Sequence, residues 1–143
     1  MRILLPTDFS RNALHAGSYA VQLFGESEAT YILMHAQYDA GYAGAMGYSM
    51  GPELLKASQA GLDMAAKRFA ESTGATSVET GLAFGFLSSV VNDFVKEHGV
   101  DAVVMGKRGE TGSALFGSNT TAVLSDCLVP VVAVPDHARP GAL

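Results

Sequence analysis

The residues best placed to do chemistry lie between Val100 and Ser118. An apolar run, Val100 to Met105, breaks at Gly106 into a glycine-rich stretch carrying Lys107 and Arg108. The stretch closes on Gly117 and Ser118, where a helix can start. A buried strand, a loop with spare backbone N–H groups and a helix N-terminus together make an anion site. Glycines admit the backbone close to a phosphate, the helix dipole favours negative charge, and the two cations add to that field. A tight, ligand-free strand-to-helix turn is the competing reading of the same residues. The second candidate is Asp8, within Pro6 to Ser10 after the first apolar run. It is either a turn carboxylate at a helix start, where the dipole favours it, or an acceptor for a ligand if the fold sets it opposite the glycine stretch.

Other chemistries fit less well. A Walker-type phosphate loop needs Lys directly before Ser or Thr, and Gly112 stands before Ser113. Lys107 and Arg108 can touch phosphate, but as a solvated pair in a loop they are read as supplying general field. His15, His35, His98 and His137 are scattered, with no metal-ligand spacing and no Cys partner nearby. Cys127 shares a helical face with Val123 and Leu124 and reads as a small core residue, since burial makes thiols inert. The chain has no Gly-x-Ser-x-Gly elbow, no paired catalytic carboxylates and no obvious general base for hydrolysis. A receiver domain is disfavoured because Gly85 and Pro135 stand where its phosphoacceptor and lysine are sought. A flavodoxin is disfavoured because Thr7 to Arg11 lacks glycine.

The elements that must position these residues follow from pattern. Ile3 to Leu5 is a continuous apolar run, ended by Pro6, as expected of a strand buried on both faces. Ser10 caps a helix predicted from Arg11 to Phe24, stopped by Gly25. Ala13, Ala16, Gly17 and Ala20 give it a stripe of small residues. Tyr31 to Ala36 is the second strand. Residues 37–51, with four glycines among Tyr and Met, carry no period and are expected to be a flexible loop, with a lid over ligand as the minority reading. Pro52 opens a helix with Leu55, Leu62 and Phe69 on one face, stopped by Gly74. Val78 to Phe84 is strand-like, weakened by Gly81. Ser88 is predicted to cap a helix burying Val91, Phe94, Val95 and His98, with Gly99 ending it. After the Val100–Met105 strand and its loop, a last helix from Ser118 buries Val123, Leu124 and Cys127. Val129 to Val134 closes as a strand before a polar tail, residues 136–143.

Strands alternating with helices at this spacing, with apolar rather than half-polar strands, predict an α/β protein: one doubly wound parallel sheet with helices on both faces. Right-handed crossovers then force a switch point, and ligands bind at the strand carboxyl ends beside it. If the first and fourth strands flank that point, Pro6–Ser10 faces Gly106–Ser118.

The 143 residues suit one domain, 1–143. Only 16% are charged and 48% are apolar, which suits a well-buried globular chain. With net charge −5 and no basic run beyond Lys107 and Arg108, nucleic acid is not expected as a partner. No stretch approaches the roughly 20 apolar residues of a membrane span. The first residues run straight into structured sequence and the lone Cys127 forms no internal disulfide, so the expectation is a cytoplasmic protein without membrane association.

Pro6-Thr-Asp-Phe-Ser10 after the first strand, Met105, Gly106 and Gly109 after the fourth, Gly117-Ser118 at the last helix and Pro130 to Val134 resemble the universal stress protein (UspA) family. The resemblance covers nearly the whole chain. It implies five parallel strands in the order 3-2-1-4-5, an adenine nucleotide alpha hydrolase-like fold, and a stress-response regulatory protein that binds ATP or AMP/ADP between strands 1 and 4. Mg²⁺ would be held by the phosphates. Carried over to this sequence, Asp8 accepts from the adenine amino group, Pro6 and Thr7 line the base pocket with Ser10 beside them, and Ala36 supplies a small wall. Met105 and Gly106 lie under the ribose, Gly109 admits the phosphates, and Ser118, Asn119 and Thr120 donate to them from the helix that Gly117 opens. The family's ATP-binding branch follows Gly-x2-Gly-x9-Gly-Ser/Thr; here seven residues separate Gly109 from Gly117, two fewer. The alternative is therefore a nucleotide-free dimeric interaction module of the same fold acting through protein partners. Either way no enzyme is expected, at most slow ATP hydrolysis. A homodimer is expected through the strand 129–134, an apolar edge without protecting charge. The regulatory partner, the preferred nucleotide and the stress served are not legible.

Overall fold

A computed structural model describes residues 1–37, 52–107 and 121–136. The apolar runs become five strands: β1 (Arg2–Pro6), β2 (Thr30–Gln37), β3 (Val78–Phe84), β4 (Ala102–Lys107) and β5 (Val131–Pro135). All pair in parallel, in the order β3-β2-β1-β4-β5. The helices between them are α1 (Arg11–Phe24), α2 (Pro52–Thr73) and α3 (Leu87–His98), followed by α4, given over 121–126. Residues 38–51, 108–120 and 137–143 lie outside the described residues, so nearly all of the expected flexible loop, most of the glycine loop and most of the polar tail do too.

Successive strand residues point to opposite faces, which divides the core in two. Ile3, Leu5, Tyr31, Leu33, Val104 and Val134 pack with α1 and α2, where Ala16, Ala20, Leu62 and Phe69 close the layer. Leu4, Ile32, Met34, Val103 and Met105 face the other way, under Val90, Val91 and Val95 of α3 and Val123 of α4. Full burial of one such large side chain stabilises by about 1.5–3 kcal/mol, so each strand helps to hold both layers.

Local signals explain where the elements begin and end. Ser10 caps α1 as expected, its hydroxyl accepting from the Ala13 N–H at 3.2 Å, and Gly25 at φ 104° stops it. Gly74 ends α2 at φ 81°, a backbone state that costs glycine little. Two other glycines make room. A Cβ at Gly17 would stand 2.8 Å from the Phe69 ring, so the small stripe of α1 serves its packing on α2. A Cβ at Gly81 would stand 2.5 Å from Phe94, so the glycine that weakens β3 as a strand is what lets α3 lie upon it.

Several expected details shift. β4 and β5 start two residues after Val100 and Val129. Val100 is buried, but its N–H turns back to the Val95 carbonyl, and Pro130 has no N–H for a ladder. α3 starts at Leu87 with Phe86 in the cap position, so Ser88 is not the cap. The turn at Gly85 (φ 133°), whose N–H donates to the Gln37 carbonyl, launches the helix early. The buried face of α3 centres on Val90, Val91 and Val95, which leaves His98 exposed, its ring centroid 4.8 Å from that of Phe94. Leu124 is also exposed, because Val123 and half-buried Cys127, four residues apart, are the pair that α4 turns inward. Among the described residues no helix is long and apolar enough to cross a membrane.

Candidate nucleotide site at the switch point

The winding reverses between β1 and β4, and there the sheet comes apart. Among the described residues the β1–β4 register runs Ile3↔Ala102 and Leu4↔Val103 and stops. The ladders on either side continue, to Pro6↔Met34 between β1 and β2 and to Lys107↔Pro135 between β4 and β5. Two strands that each stay paired to an outer neighbour but part from one another leave a crevice at their carboxyl ends, the place where such sheets bind ligands.

One wall is the turn from β1 into α1. Pro6 is buried, Thr7 half-buried and Asp8 exposed. The Thr7 N–H donates to the Met34 carbonyl at 2.8 Å, which keeps the chain on β2 one step past the strand. The Thr7 hydroxyl oxygen then accepts from the Phe9 N–H, and Asp8 Oδ1 accepts from the Ser10 N–H, each at 3.0 Å. Asp8 is thus a turn carboxylate and an exposed group at the crevice at once. Phe9 adopts φ 66°, a left-handed state that costs a non-glycine residue roughly 1–2 kcal/mol. Its ring lies over His35, with centroids 4.7 Å apart. His35 Nδ1 is 2.8 Å from the Thr7 carbonyl oxygen; a carbonyl carries no proton, so Nδ1–H is the donor. Ala36 follows on β2, half-buried and facing the α3 layer.

The other wall is the end of β4. The Met105 side chain is buried beneath α3, so at this position the main chain is what borders the crevice. Gly106 is pressed against the first turn of α1: a Cβ there would stand 2.9 Å from the Asn12 carbonyl oxygen, so no larger residue fits without moving backbone. Asn12 is itself buried, and its Nδ2 donates to Asp136 just past β5. α1 is therefore tied to β2 by its lead-in turn and to β4 and β5 by Asn12.

The fold brings Pro6, Thr7, Asp8, Ser10, Ala36, Met105 and Gly106 to the carboxyl ends of β1, β2 and β4. Gly109, Gly117, Ser118, Asn119 and Thr120 lie outside the described residues. Sequence reading missed His35 and Asn12. The histidine stood apart from every motif, and nothing in the first turn of a helix marks an Asn as the contact for a glycine almost a hundred residues away. Among the described residues no group of three His, Cys, Asp or Glu side chains could hold a metal ion.

Comparison with known proteins agrees with this architecture. A family model described as the universal stress protein family matches residues 1–135. Among solved structures, the universal stress protein UspA from Lactobacillus plantarum superposes with TM-score 0.69 at 23% identity, covering 94% of this chain and 97% of its own. The universal stress protein from Archaeoglobus fulgidus in complex with dAMP gives 0.66 at 20% identity, covering 94% and 97%. A universal stress protein family protein from Arabidopsis thaliana with AMP bound gives 0.63 at 16% identity, covering 96% and 93%. At these identities the superpositions speak for the fold alone. Among curated proteins none matches.

Proposed function

The chain belongs to the universal stress protein family, and we propose that it is a stress-response regulatory protein that holds an adenine nucleotide in the crevice between β1 and β4. The observation that carries this reading is the parting of those two strands beyond Leu4 and Val103, with Thr7 and Asp8 on one side and Gly106 on the other. Structures of this fold with dAMP and with AMP support the ligand class. In this reading Asp8 accepts from the adenine amino group, and Pro6, Thr7 and Ala36 border the base. The main chain at Met105 and Gly106 runs under the ribose, and the Ser10 hydroxyl, already engaged at Ala13, sets the turn. Gly109, Gly117, Ser118, Asn119 and Thr120 complete the phosphate side.

ATP with Mg²⁺ held by its phosphates is the fuller ligand. The glycine loop, two residues shorter than the family's ATP-binding pattern, offers the β- and γ-phosphates fewer N–H donors, so AMP and ADP bind nearly as well as ATP. Hydrolysis is at most slow, because cradling phosphates without a positioned base contributes little. The protein works in the cytoplasm as a homodimer through β5. Calorimetry with AMP, ADP and ATP–Mg²⁺ tests the nucleotide reading: heat that Asp8→Ala removes supports it, and no heat with any of the three at high micromolar protein overturns it.

The edge of β5, unpaired among the described residues and with Val131, Val132 and Ala133 only half-buried, favours a second reading, a nucleotide-free dimeric module acting through protein partners. Inserting two residues between Gly109 and Gly117 separates the two. Nucleotide affinity gained only on insertion assigns the natural protein to the second.

A further inference from the structure

We propose that His35 is the positioning residue of the crevice: by holding the Thr7 carbonyl and the Phe9 ring, it sets the turn from β1 into α1 in the shape that presents Asp8. The bonds inside that turn are local. Thr7 Oγ1 to the Phe9 N–H and Asp8 Oδ1 to the Ser10 N–H close the turn on itself but tie it to nothing else. Among the described residues two bonds tie it to the sheet, both from β2. The Thr7 N–H to the Met34 carbonyl is main chain, and forms whatever residue stands at 34. The bond from His35 Nδ1 to the Thr7 carbonyl depends on the side chain at 35. Phe9, the one non-glycine residue with positive φ among the described residues, is the strained point of the turn, and the ring it rests on is that same imidazole. A strained backbone persists where its surroundings over-determine it. Here one histidine supplies both the hydrogen bond before the strained residue and, at a tilt of 45°, the ring that its side chain packs on.

The geometry also specifies what can replace histidine. The donor is the nitrogen nearer the backbone, a place that the side-chain amide nitrogen of Asn reaches and that of Gln overshoots. The inference rests on the nucleotide reading only for its effect on affinity. The test pairs His35→Asn with His35→Gln, read by AMP calorimetry and by the backbone amide resonances of Phe9 and Ser10. A third readout is the tautomer of His35 in the natural protein, from imidazole ¹⁵N shifts at mildly alkaline pH.

The expected result is the Nδ1–H tautomer, with turn amides and AMP affinity held nearer the natural protein by Asn, which keeps the hydrogen bond and gives up only the ring beside Phe9, and with Gln, which gives up both, weaker than Asn by about tenfold, as for one hydrogen bond that positions a charged group. An Nε2–H tautomer, or equal behaviour of the two variants, overturns the inference. If the natural protein binds no AMP, the nucleotide reading falls on its own, and His35 is judged by the amides: moved further by Gln than by Asn supports the assignment, and moved equally or unmoved by both overturns it. If His35→Gln does not fold, the tautomer decides.

Discussion

The two ends of the sheet are built to opposite specifications. At the amino end, Arg2 locks β1 to its surroundings. Its N–H donates to Asp101 Oδ2 at 2.7 Å, its carbonyl accepts from the Asp101 N–H at 2.8 Å, its Nε donates to the His98 carbonyl, and its guanidinium pairs with Glu79 on β3 at 2.9 Å. Tyr31, fully buried, adds a hydroxyl bond of 2.6 Å to the Gly25 carbonyl and an edge-on contact with Phe69. At the carboxyl end β1 and β4 have parted, and beyond the main-chain bond from Thr7 to Met34, α1 and its lead-in turn are joined to the sheet a side chain at a time: His35 to Thr7, and Asn12 to Asp136. A parallel sheet can open a ligand crevice at one end of two strands only if their other ends are held, and here a cluster of charge-assisted bonds does the holding.

The contrast can be broken most severely at Gly106. Gly106→Val forces side-chain atoms into the Asn12 main chain, and we expect a loss of about 3 kcal/mol, the upper range for overpacking against backbone, together with loss of nucleotide binding. A urea titration followed by AMP calorimetry checks both. Asp8→Ala should separate function from stability: AMP affinity falls by about tenfold to a hundredfold, the worth of a hydrogen bond to a charged group, while the unfolding midpoint falls only slightly, since the exposed side chain gives up one local bond, from the Ser10 N–H.

At the amino end the effects turn to stability alone. Tyr31→Phe should cost about 1 kcal/mol for the lost hydroxyl bond and leave AMP affinity unchanged. Burial, reinforced by the Glu28 charge, pushes the Tyr31 hydroxyl up to about 12 from 10.0. The unfolded chain therefore gives up this proton first, and the natural protein loses stability as pH rises from about 10 to about 12, a loss that chemical denaturation should find missing in Tyr31→Phe. Smallest is Glu79→Gln, at about 0.5 kcal/mol near neutral pH for an exposed ion pair. The hydrogen bond from Arg2 holds the Glu79 carboxyl below its usual 4.5. Its contribution is therefore complete above that pH and fades as pH falls below it, so variant and natural protein should converge in acid.

Most of the frame was legible because its signals are local. Ser10 and Gly25 bracket α1 by their own backbone chemistry, and continuous apolar runs reveal strands buried on both faces. Strand order came from the family resemblance, not from pattern. What failed was of another kind. Val100 and Val129 are apolar like the strands they precede, and no composition tells a buried residue from a paired one. Ser88 is a good cap in the wrong place, displaced by a turn set at Gly85. At the crevice, Asp8 and Gly106 could be singled out because their motifs flank a switch point, whereas His35 and Asn12 act across 28 and 124 residues of chain, to Thr7 and Asp136, and leave no local mark.

The ion pair at the amino end has a bearing on assembly as well. The sheet has two edges: β5 is apolar along its length, while β3 carries Glu79, held in place by Arg2 from two strands away. A charge fixed on an edge strand discourages further pairing, so among the described residues β3 is the edge less suited to take a neighbouring strand. A sheet joined to a copy of itself through β5 would present only the charged β3 edge at both of its new ends. Such growth terminates at two, and the fibre that two sticky edges would permit has no way to propagate.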